Sequence, residues 1–536
     1  MDVRPAPPDL ARLWTKAAGL ARFALRVRGM LRETITIEEA SRRIEEGVRR
    51  RRERFVAKVE TAVYANPRSP YRRLLAAAGC EMGDVKRLVD TEDLEGALEA
   101  LERAGVYVSY DELKGRTPAV RGSQTFHFHS DDFNNPLLTE HFSTTSGGTR
   151  GAPSILPVDV DVIQELAPHW GVFLAEHGGL GAPLILWTPG HAGIASRYLA
   201  WALSNQKYAH WYVSESMKSP QGWVQAAAVH WLARQAGGFP RPERAPFSTP
   251  EPVLERLLAL LAAGKAPCVN TAPSAATKLS LEAQRRGAGL AGVTFLLGAE
   301  PLTPARRRTI EASGARAAPL YGSSEAAWIG GQCRRATHPD EVHVLRDGYA
   351  IIPSGVAEGG EAGARTLLVT SMHRFATKVL LNADIGDRAV LDTRRCECRY
   401  DRLGCHLRLH TIRSSEKITE LGVTFAVQDV FRVVEDVLPG RFGGAAGDYQ
   451  LVEARDEQGL PRYTILVNPS LPGIDEERLA AVFLSELGKL EGHYRFMTAA
   501  WARERFIGVR RGPPLAGPLG KVLPFHRIND TAGARR

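Results

Sequence analysis

The sequence predicts an α/β protein: a large N-terminal α/β unit with a β-rich part, followed by a small α+β unit at the C-terminal end. Three observations predict it. Short apolar runs of strand length alternate with helix-period stretches through the middle of the chain, β-rich text runs from Val342 to Val390, and the pattern changes character near Ile412. At 536 residues the chain exceeds what one small core can organise. Residues 1–65 are expected to form a helical extension, 66–411 the large unit, and 412–536 the small one.

From Leu10 to about Ala65 the chain reads as helices, with Phe23, Leu25, Val27 and Leu31 set among arginines. The run Arg49 to Arg52 either presents charge to an acidic partner or is a solvated helix face balanced by Glu45, Glu46 and Glu53; the solvated face is the expectation. Ser69-Pro70 opens another helix. Arg121 to His129 alternates polar and apolar residues, so one strand is expected, with His127 and His129 sharing a solvent-facing side. Pro183 to Trp187 is a buried-strand pattern, and Gly190-His191-Ala192-Gly193 then opens a helix, where His191 either faces a pocket or caps the helix. A helix over Val253 to Ala263 and a strand over Val293 to Leu297 lead to Gly298-Ala299-Glu300-Pro301. A helix from Pro304 to Ser313 leads to Tyr321-Gly322-Ser323-Ser324-Glu325. Beyond Ile412 come an amphipathic helix (Val427 to Leu438), two paired strands (Tyr449 to Glu453, Tyr463 to Val467), a helix (Asp475 to Leu487) and a proline- and glycine-rich end that presents Lys521.

Composition narrows the chemistry. A formal charge of +9 spread over this length suits an anionic substrate such as a nucleotide, coenzyme A or an acidic carrier protein. The arginine-rich stretches carry no interleaved aromatics for base stacking, so nucleic acid is not expected. No apolar run reaches the ~20 residues of a membrane helix, and Met1 to Leu10 is proline-rich and acidic where a signal peptide would be basic and then apolar; no membrane span and a cytoplasmic location are expected. The six cysteines are Cys80, Cys268, Cys333, Cys396, Cys398 and Cys405, and the clustering of the last three suggests either a metal site or no special role, not a disulfide framework.

The stretch His141 to Pro153 concentrates hydroxyls and glycines. Gly147, Gly148 and Gly151 permit close backbone approach, and Ser143 to Thr145 with Thr149 supply donors that suit phosphate oxygens. Such a loop is a phosphate cradle or an ordinary surface turn. It has neither the Gly-Lys-Ser/Thr of a Walker loop nor the Gly-x-Gly-x-x-Gly of a dinucleotide fold.

In their order, these pieces resemble the adenylate-forming superfamily of acyl- and aryl-CoA ligases, most of all its phenylacetate-CoA ligase group, over roughly Ser69 to the C-terminus. Thr145-Ser146-Gly147-Gly148-Thr149-Arg150-Gly151-Ala152-Pro153 is similar to that group's glycine-rich loop, where a Thr or Ser usually stands in place of Arg150. Tyr321-Gly322-Ser323-Ser324-Glu325 is similar to its Tyr-Gly-x-x-Glu, and Gly298-Ala299-Glu300 to its adenine-lining segment. Asp387 resembles the ribose-binding aspartate. Arg413, Gly422 and Lys521 resemble the hinge arginine, the thioester-loop glycine and the C-terminal catalytic lysine.

The resemblance implies an ATP-dependent acid-thiol ligase that activates a small carboxylic acid as an acyl- or aryl-adenylate and passes it to coenzyme A. It also implies Mg2+ at Glu325 and catalytic roles for Lys521, Glu325, Thr145 and Arg413, with ATP and AMP held by the loop, the adenine segment and Asp387. A carboxylate is a poor electrophile, and the charge gathered by triphosphate and acid in the transition state calls for oxygen-bound metal, backbone donors and a mobile point charge such as Lys521. Two other readings stay open: transfer to an acyl carrier protein, a protein cysteine or an amine, and a nucleotide-binding regulator without turnover. Cys333, His338, Cys396 and Cys398 make a reasonable tetrahedral zinc set, and the resemblance implies a structural zinc there; Cys405 and His406 are spare candidates. The chain departs from the family at Ile412-Arg413-Ser414-Ser415, where Ser415 takes the pivot aspartate's place, and at Val423 to Val427, which lacks the usual proline.

Overall fold

The computed structural model describes residues 34–138, 142–145, 155–158, 160–188, 208–213, 240, 242–355, 363–414, 417–420, 423–455, 461–489, 498, 501–502, 507–517 and 522–528. The fold is α/β, built on one mixed sheet of twelve strands. In chain order these are β1 Leu184–Thr188, β2 Tyr208–Val213, β3 Pro242–Arg244, β4 Cys268–Thr271, β5 Thr294–Leu297, β6 Arg316–Ser323, β7 Ala327–Gly331, β8 Val342–Val344, β9 Tyr349–Ser354, β10 Arg365–Ser371, β11 Ala383–Asp392 and β12 Arg408–Ser414. Across the sheet the order is β9-β10-β11-β12-β8-β7-β6-β5-β4-β1-β2-β3. The first six strands are parallel, and β6 turns the chain back antiparallel into β7.

Side-chain alternation explains why the parallel half is apolar throughout. Leu184, Leu186, Leu296 and Ala318 join one buried cluster, while Ile185, Trp187, Phe295, Leu297 and Ala317 join another. Both faces are therefore covered. The first cluster includes Trp170 and Phe173 of helix α1 (Val160–His177). The second includes residues of α2 (Glu251–Ala262), α3 (Pro273–Arg285) and α4 (Pro304–Ala312). Each of these three helices has a proline in its first turn, where the missing N–H costs no hydrogen bond.

Beyond β12 a separate buried cluster, with Val430, Val434, Leu451, Ile465, Phe483 and Trp501, surrounds a four-stranded sheet. Strands Tyr449–Arg455 and Pro461–Val467 pair antiparallel as the hairpin expected, flanked in parallel by Ile507–Arg511 and Phe525–Arg527.

Three sequence expectations need correction. Residues 121–129 are not one strand: Ala119–Arg121 and Gln124–Phe126 pair across a turn at Gly122 (φ 59°), with His127 and His129 exposed beyond it. The expected helix over 427–438 is α-helical only to Arg432, then widens to a π segment at Val433–Val437. Within the arginine run, Arg51 is buried; its guanidinium forks onto both oxygens of Glu95 at 2.8 and 2.7 Å and donates to the carbonyls of Arg346 and Tyr349. Among the described residues, no helix is long and apolar enough to cross a membrane.

Candidate active site and metal centre

The motif residues leave the sheet at the carboxyl ends of β5 and β6, the edge at which open α/β sheets hold ligands. Gly298 follows β5, and a Cβ there would lie 3.9 Å from the Leu320 Cβ. Ala299 takes the left-handed conformation (φ 72°), which costs an alanine on the order of 1 kcal/mol and is held by its surroundings. The Glu300 carboxylate accepts from Ser274 N at 3.0 Å and Ser274 Oγ at 2.9 Å, where positive helix-end potential favours it.

Tyr321 ends the regular β6–β7 ladder. The register shifts between Tyr321 and Gly322, and a Cβ on Gly322 would sit 2.1 Å from the Ala327 carbonyl oxygen, so the bulge demands glycine. With the strand turned this way the Tyr321 hydroxyl donates to Asp387 Oδ2 at 3.0 Å. Asp387 sits on β11 opposite Ser414 of β12, and the next pair is Arg388 with Arg413. Asp340 holds that strand end: it accepts from Thr411 N and Ile412 N, and from Arg413 Nη1 at 3.0 Å.

Glu325 lies a few residues past Tyr321, 7% exposed, and is ion-paired with Lys114. A second ammonium, Lys378, is 1% exposed and donates to Ser130 O and Asn134 Oδ1; burial pulls its pKa down to about 8 against the opposing pull of Glu325. Sequence reading gave no sign of Lys114 or Lys378, since single lysines in a loop and between strands carry no motif. Ser323 accepts from Ala326 N, which closes the turn after β6.

Thr145 ends strand Phe142–Thr145 and stands opposite Ile155 of strand Ile155–Val158 in an antiparallel pair. Ser146, Gly147, Gly148, Thr149, Arg150 and Gly151 lie outside the described residues, as do His191, Ser415, Gly422 and Lys521.

The metal-binding expectation is corrected at one position. Cys333, His343, Cys396 and Cys398 gather their ligand atoms within 4.8 Å of one another, and His343 stands where His338 was expected. His338 instead stacks on His410, ring centroids 3.8 Å apart, and lies against Thr337 and Glu341. The reason is register: β7 and β8 place His343 directly opposite Gly331, two residues before Cys333, whereas His338 belongs to the connection between them. Cys333 Sγ is 4.0 Å from Cys396 Sγ, and His343 Nε2 is 3.4 and 3.3 Å from Cys396 and Cys398 Sγ. A tetrahedral zinc with bonds of roughly 2.0–2.3 Å needs edges of roughly 3.5–3.8 Å, so the four atoms fit such an ion. His343 Nδ1 donates to the Cys405 carbonyl at 2.6 Å, which aims Nε2 at the thiols. Glu397, between two cysteines, adopts φ 55°, a sharp turn that brings both sulfurs to one side.

No protein-family model matches the chain, and no curated protein matches it. Among solved structures, it is similar to 2-hydroxyisobutyryl-CoA ligase in the postadenylation state with 2-HIB-AMP, at 15% identity and TM-score 0.48 over 94% of this chain and 92% of that one. It is also similar to the amide bond synthetase McbA from Marinactinospora thermotolerans, at 14% identity and TM-score 0.40 over 91% and 98%. A third is the O-succinylbenzoate coenzyme A synthetase of Bacillus subtilis, solved with ATP and magnesium, at 11% identity and TM-score 0.40 over 71% and 67%.

Proposed function

We propose that this protein is an adenylate-forming ligase of the phenylacetate-CoA ligase kind, acting in the cytoplasm on a small carboxylic acid. One carboxylate oxygen attacks the α-phosphorus of ATP; the new O–P bond forms as the α–β bridging bond breaks, and pyrophosphate leaves. A thiol then attacks the acyl carbon, AMP departs, and the thiol proton passes to solvent. The observation that carries this reading is the 3.0 Å hydrogen bond from Tyr321 to Asp387, which joins two motif residues 66 positions apart beside the carboxyl ends of β5 and β6.

Asp387 is the acceptor for the ribose hydroxyls, oriented by Tyr321, and the backbone of Gly298 to Glu300 lines the adenine, since the Glu300 carboxylate is already engaged. Bound magnesium would withdraw charge from the phosphate oxygens. Glu325 is the carboxylate that would hold it, and the ammonium groups of Lys114 and Lys378 beside it add positive charge that suits phosphate oxygens. Thr145 and the loop to Gly151 contact the phosphates, Lys521 supplies a transition-state charge, and Arg413 begins the swivel of a C-terminal unit carrying Gly422. Cys333, His343, Cys396 and Cys398 would hold a structural zinc, which would tie β7 and β8 to the segment after β11.

Coenzyme A is the acceptor on this reading; an acyl carrier protein, a protein cysteine or an amine is the alternative. The test is acid-dependent exchange of labelled pyrophosphate into ATP across a panel of aryl and aliphatic acids, followed by capture with coenzyme A or carrier protein. Exchange with at least one acid is expected. Tight ATP binding without exchange across the panel would favour a regulator.

A further inference from the structure

Cys333 follows β7, whereas Cys396 and Cys398 follow β11, so the thiols of the metal set come from two segments 63 residues apart. The carboxyl end of α1 draws them together. Glu176 accepts from Arg334 N at 3.2 Å through Oε1 and from Arg399 N at 3.3 Å through Oε2. Arg334 follows Cys333 and Arg399 follows Cys398, so a single carboxylate bridges the two cysteine segments. The next residue, His177, donates from Nε2 to the Gln332 carbonyl at 2.9 Å and secures the other side of Cys333.

A second carboxylate, Asp401, lies inside the later segment and is 1% exposed. Its Oδ2 accepts from Cys396 N at 3.0 Å and from Glu397 N at 2.8 Å, and its own N–H donates to Cys398 Sγ at 3.4 Å. Oδ1 faces the Arg395 guanidinium at 2.8 Å. An ionised acceptor makes such bonds stronger than a neutral one does. They sustain the left-handed Glu397 (φ 55°), a conformation that a residue with a side chain seldom adopts.

All these bonds are made by protein atoms alone, and the three sulfurs and His343 Nε2 already lie within 4.8 Å of one another. We infer that Glu176 and Asp401 are positioning residues for the metal centre, holding the two cysteine segments at coordination spacing before an ion binds. This inference rests on the reading of Cys333, His343, Cys396 and Cys398 as a zinc site. Neither carboxylate is one of the four ligands; each acts through the amides it fixes. An ion entering a site held in this way has little chain left to order, so its affinity depends on the groups that do the holding.

Two measurements on the full-length protein test the inference separately from that reading. Metal-stripped protein is titrated with Co2+, read by its visible thiolate bands, and with Zn2+ against a chromogenic chelator. Zinc affinity is expected to fall about 10- to 100-fold in Asp401→Leu and about tenfold in Glu176→Ala. Asp401→Asn, whose side-chain oxygen can still accept from both amides, should recover most of that loss. Glu397→Gln removes an exposed charge between the two cysteines without removing an amide acceptor, and should bind as the wild type does. Wild-type affinity and an unchanged cobalt spectrum in either Asp401→Leu or Glu176→Ala overturn the inference while leaving the zinc site intact. Glu176 is half-buried on a helix, so Glu176→Ala decides the matter if Asp401→Leu does not fold.

In hydrogen exchange on metal-stripped protein, the amides of Cys396 and Glu397 are expected to stay protected in the wild type and to exchange about tenfold faster in Asp401→Leu. Loss of that protection on stripping the wild type would mean that the ion holds the turn, and would overturn the inference as well. Absence of both Co2+ and Zn2+ binding in the wild type would instead fail the zinc reading, and with it the assignment of the two carboxylates.

Discussion

The Tyr321 hydroxyl donates to Asp387 across the top of the sheet, from the bulged end of β6 to the middle of β11. Neither residue is near the other in sequence, and β7, β8 and β12 lie between their strands. The bond survives only because the bulge at Gly322 turns Tyr321 and because β11 and β12 hold Asp387 in register with Ser414. In the proposed site it orients the carboxylate toward a ribose.

Removing either end should weaken nucleotide binding. Asp387→Asn is expected to raise the ATP Kd by about 10- to 100-fold and Tyr321→Phe by about tenfold, as hydrogen bonds to a charged group do. Equilibrium titration with ATP in the absence of acid checks both, and wild-type affinity in Asp387→Asn would remove that carboxylate from the nucleotide site.

Gly322→Ala should be costly despite its small size. The added methyl carbon meets the Ala327 carbonyl oxygen at 2.1 Å, so the bulge must shift, at about 1–3 kcal/mol. Urea denaturation should show the loss in the midpoint, and ATP titration should show weaker binding as Tyr321 moves.

Zinc should follow His343 and not His338. Metal analysis of purified protein is expected to find stoichiometric zinc in the wild type and in His338→Ala, and loss of it in His343→Ala. Chelation should then make Cys333, Cys396 and Cys398 reactive to thiol reagents and lower thermal stability. Equal zinc in the two histidine variants would refute the register argument.

Acid should destabilise the fold through His177. Burial holds this histidine neutral, pulling its pKa down to about 4 against the opposing effect of its 2.9 Å bond to the Gln332 carbonyl. The unfolded chain binds the proton below its ordinary pKa while the folded chain does not. Stability therefore falls as pH drops from about 6.5 to 4, by up to about 3 kcal/mol from this group, and levels off below. Urea curves at stepped pH should show that component in the wild type and not in His177→Asn.

Lys521→Ala should cut adenylation severely while leaving ATP affinity nearly intact, because a charge that acts on the transition state adds little to ground-state binding. Pyrophosphate exchange and ATP titration on the same preparation separate the two, and unchanged turnover would remove Lys521 from the mechanism.

The α/β class was legible because apolar strand runs such as 184–188 and 294–297 alternate with helices, and those patterns are local. Tyr321, Glu325 and Asp387 stand out in the sequence through short motifs, and the fold joins two of them, Tyr321 and Asp387, by a hydrogen bond. Long-range partners were not. His343 lies in β8 between two buried valines, where a lone polar residue in an apolar strand was the available signal, but only strand register sets it beside Cys396 and Cys398. Arg51 sits in a run of arginine that reads as solvated, and what buries it is a carboxylate supplied from elsewhere in the fold, Glu95; Arg306 is likewise buried against Glu435. Lys114 pairs with Glu325 across 211 positions, a relationship no local pattern encodes.

The most direct test of the account is a crystal structure with a non-hydrolysable acyl-adenylate analogue. The account predicts both ribose hydroxyls within hydrogen-bond distance of Asp387 and the adenine against the backbone of Gly298 to Glu300. An analogue bound elsewhere, with the Tyr321 and Asp387 pair facing only solvent, would contradict it.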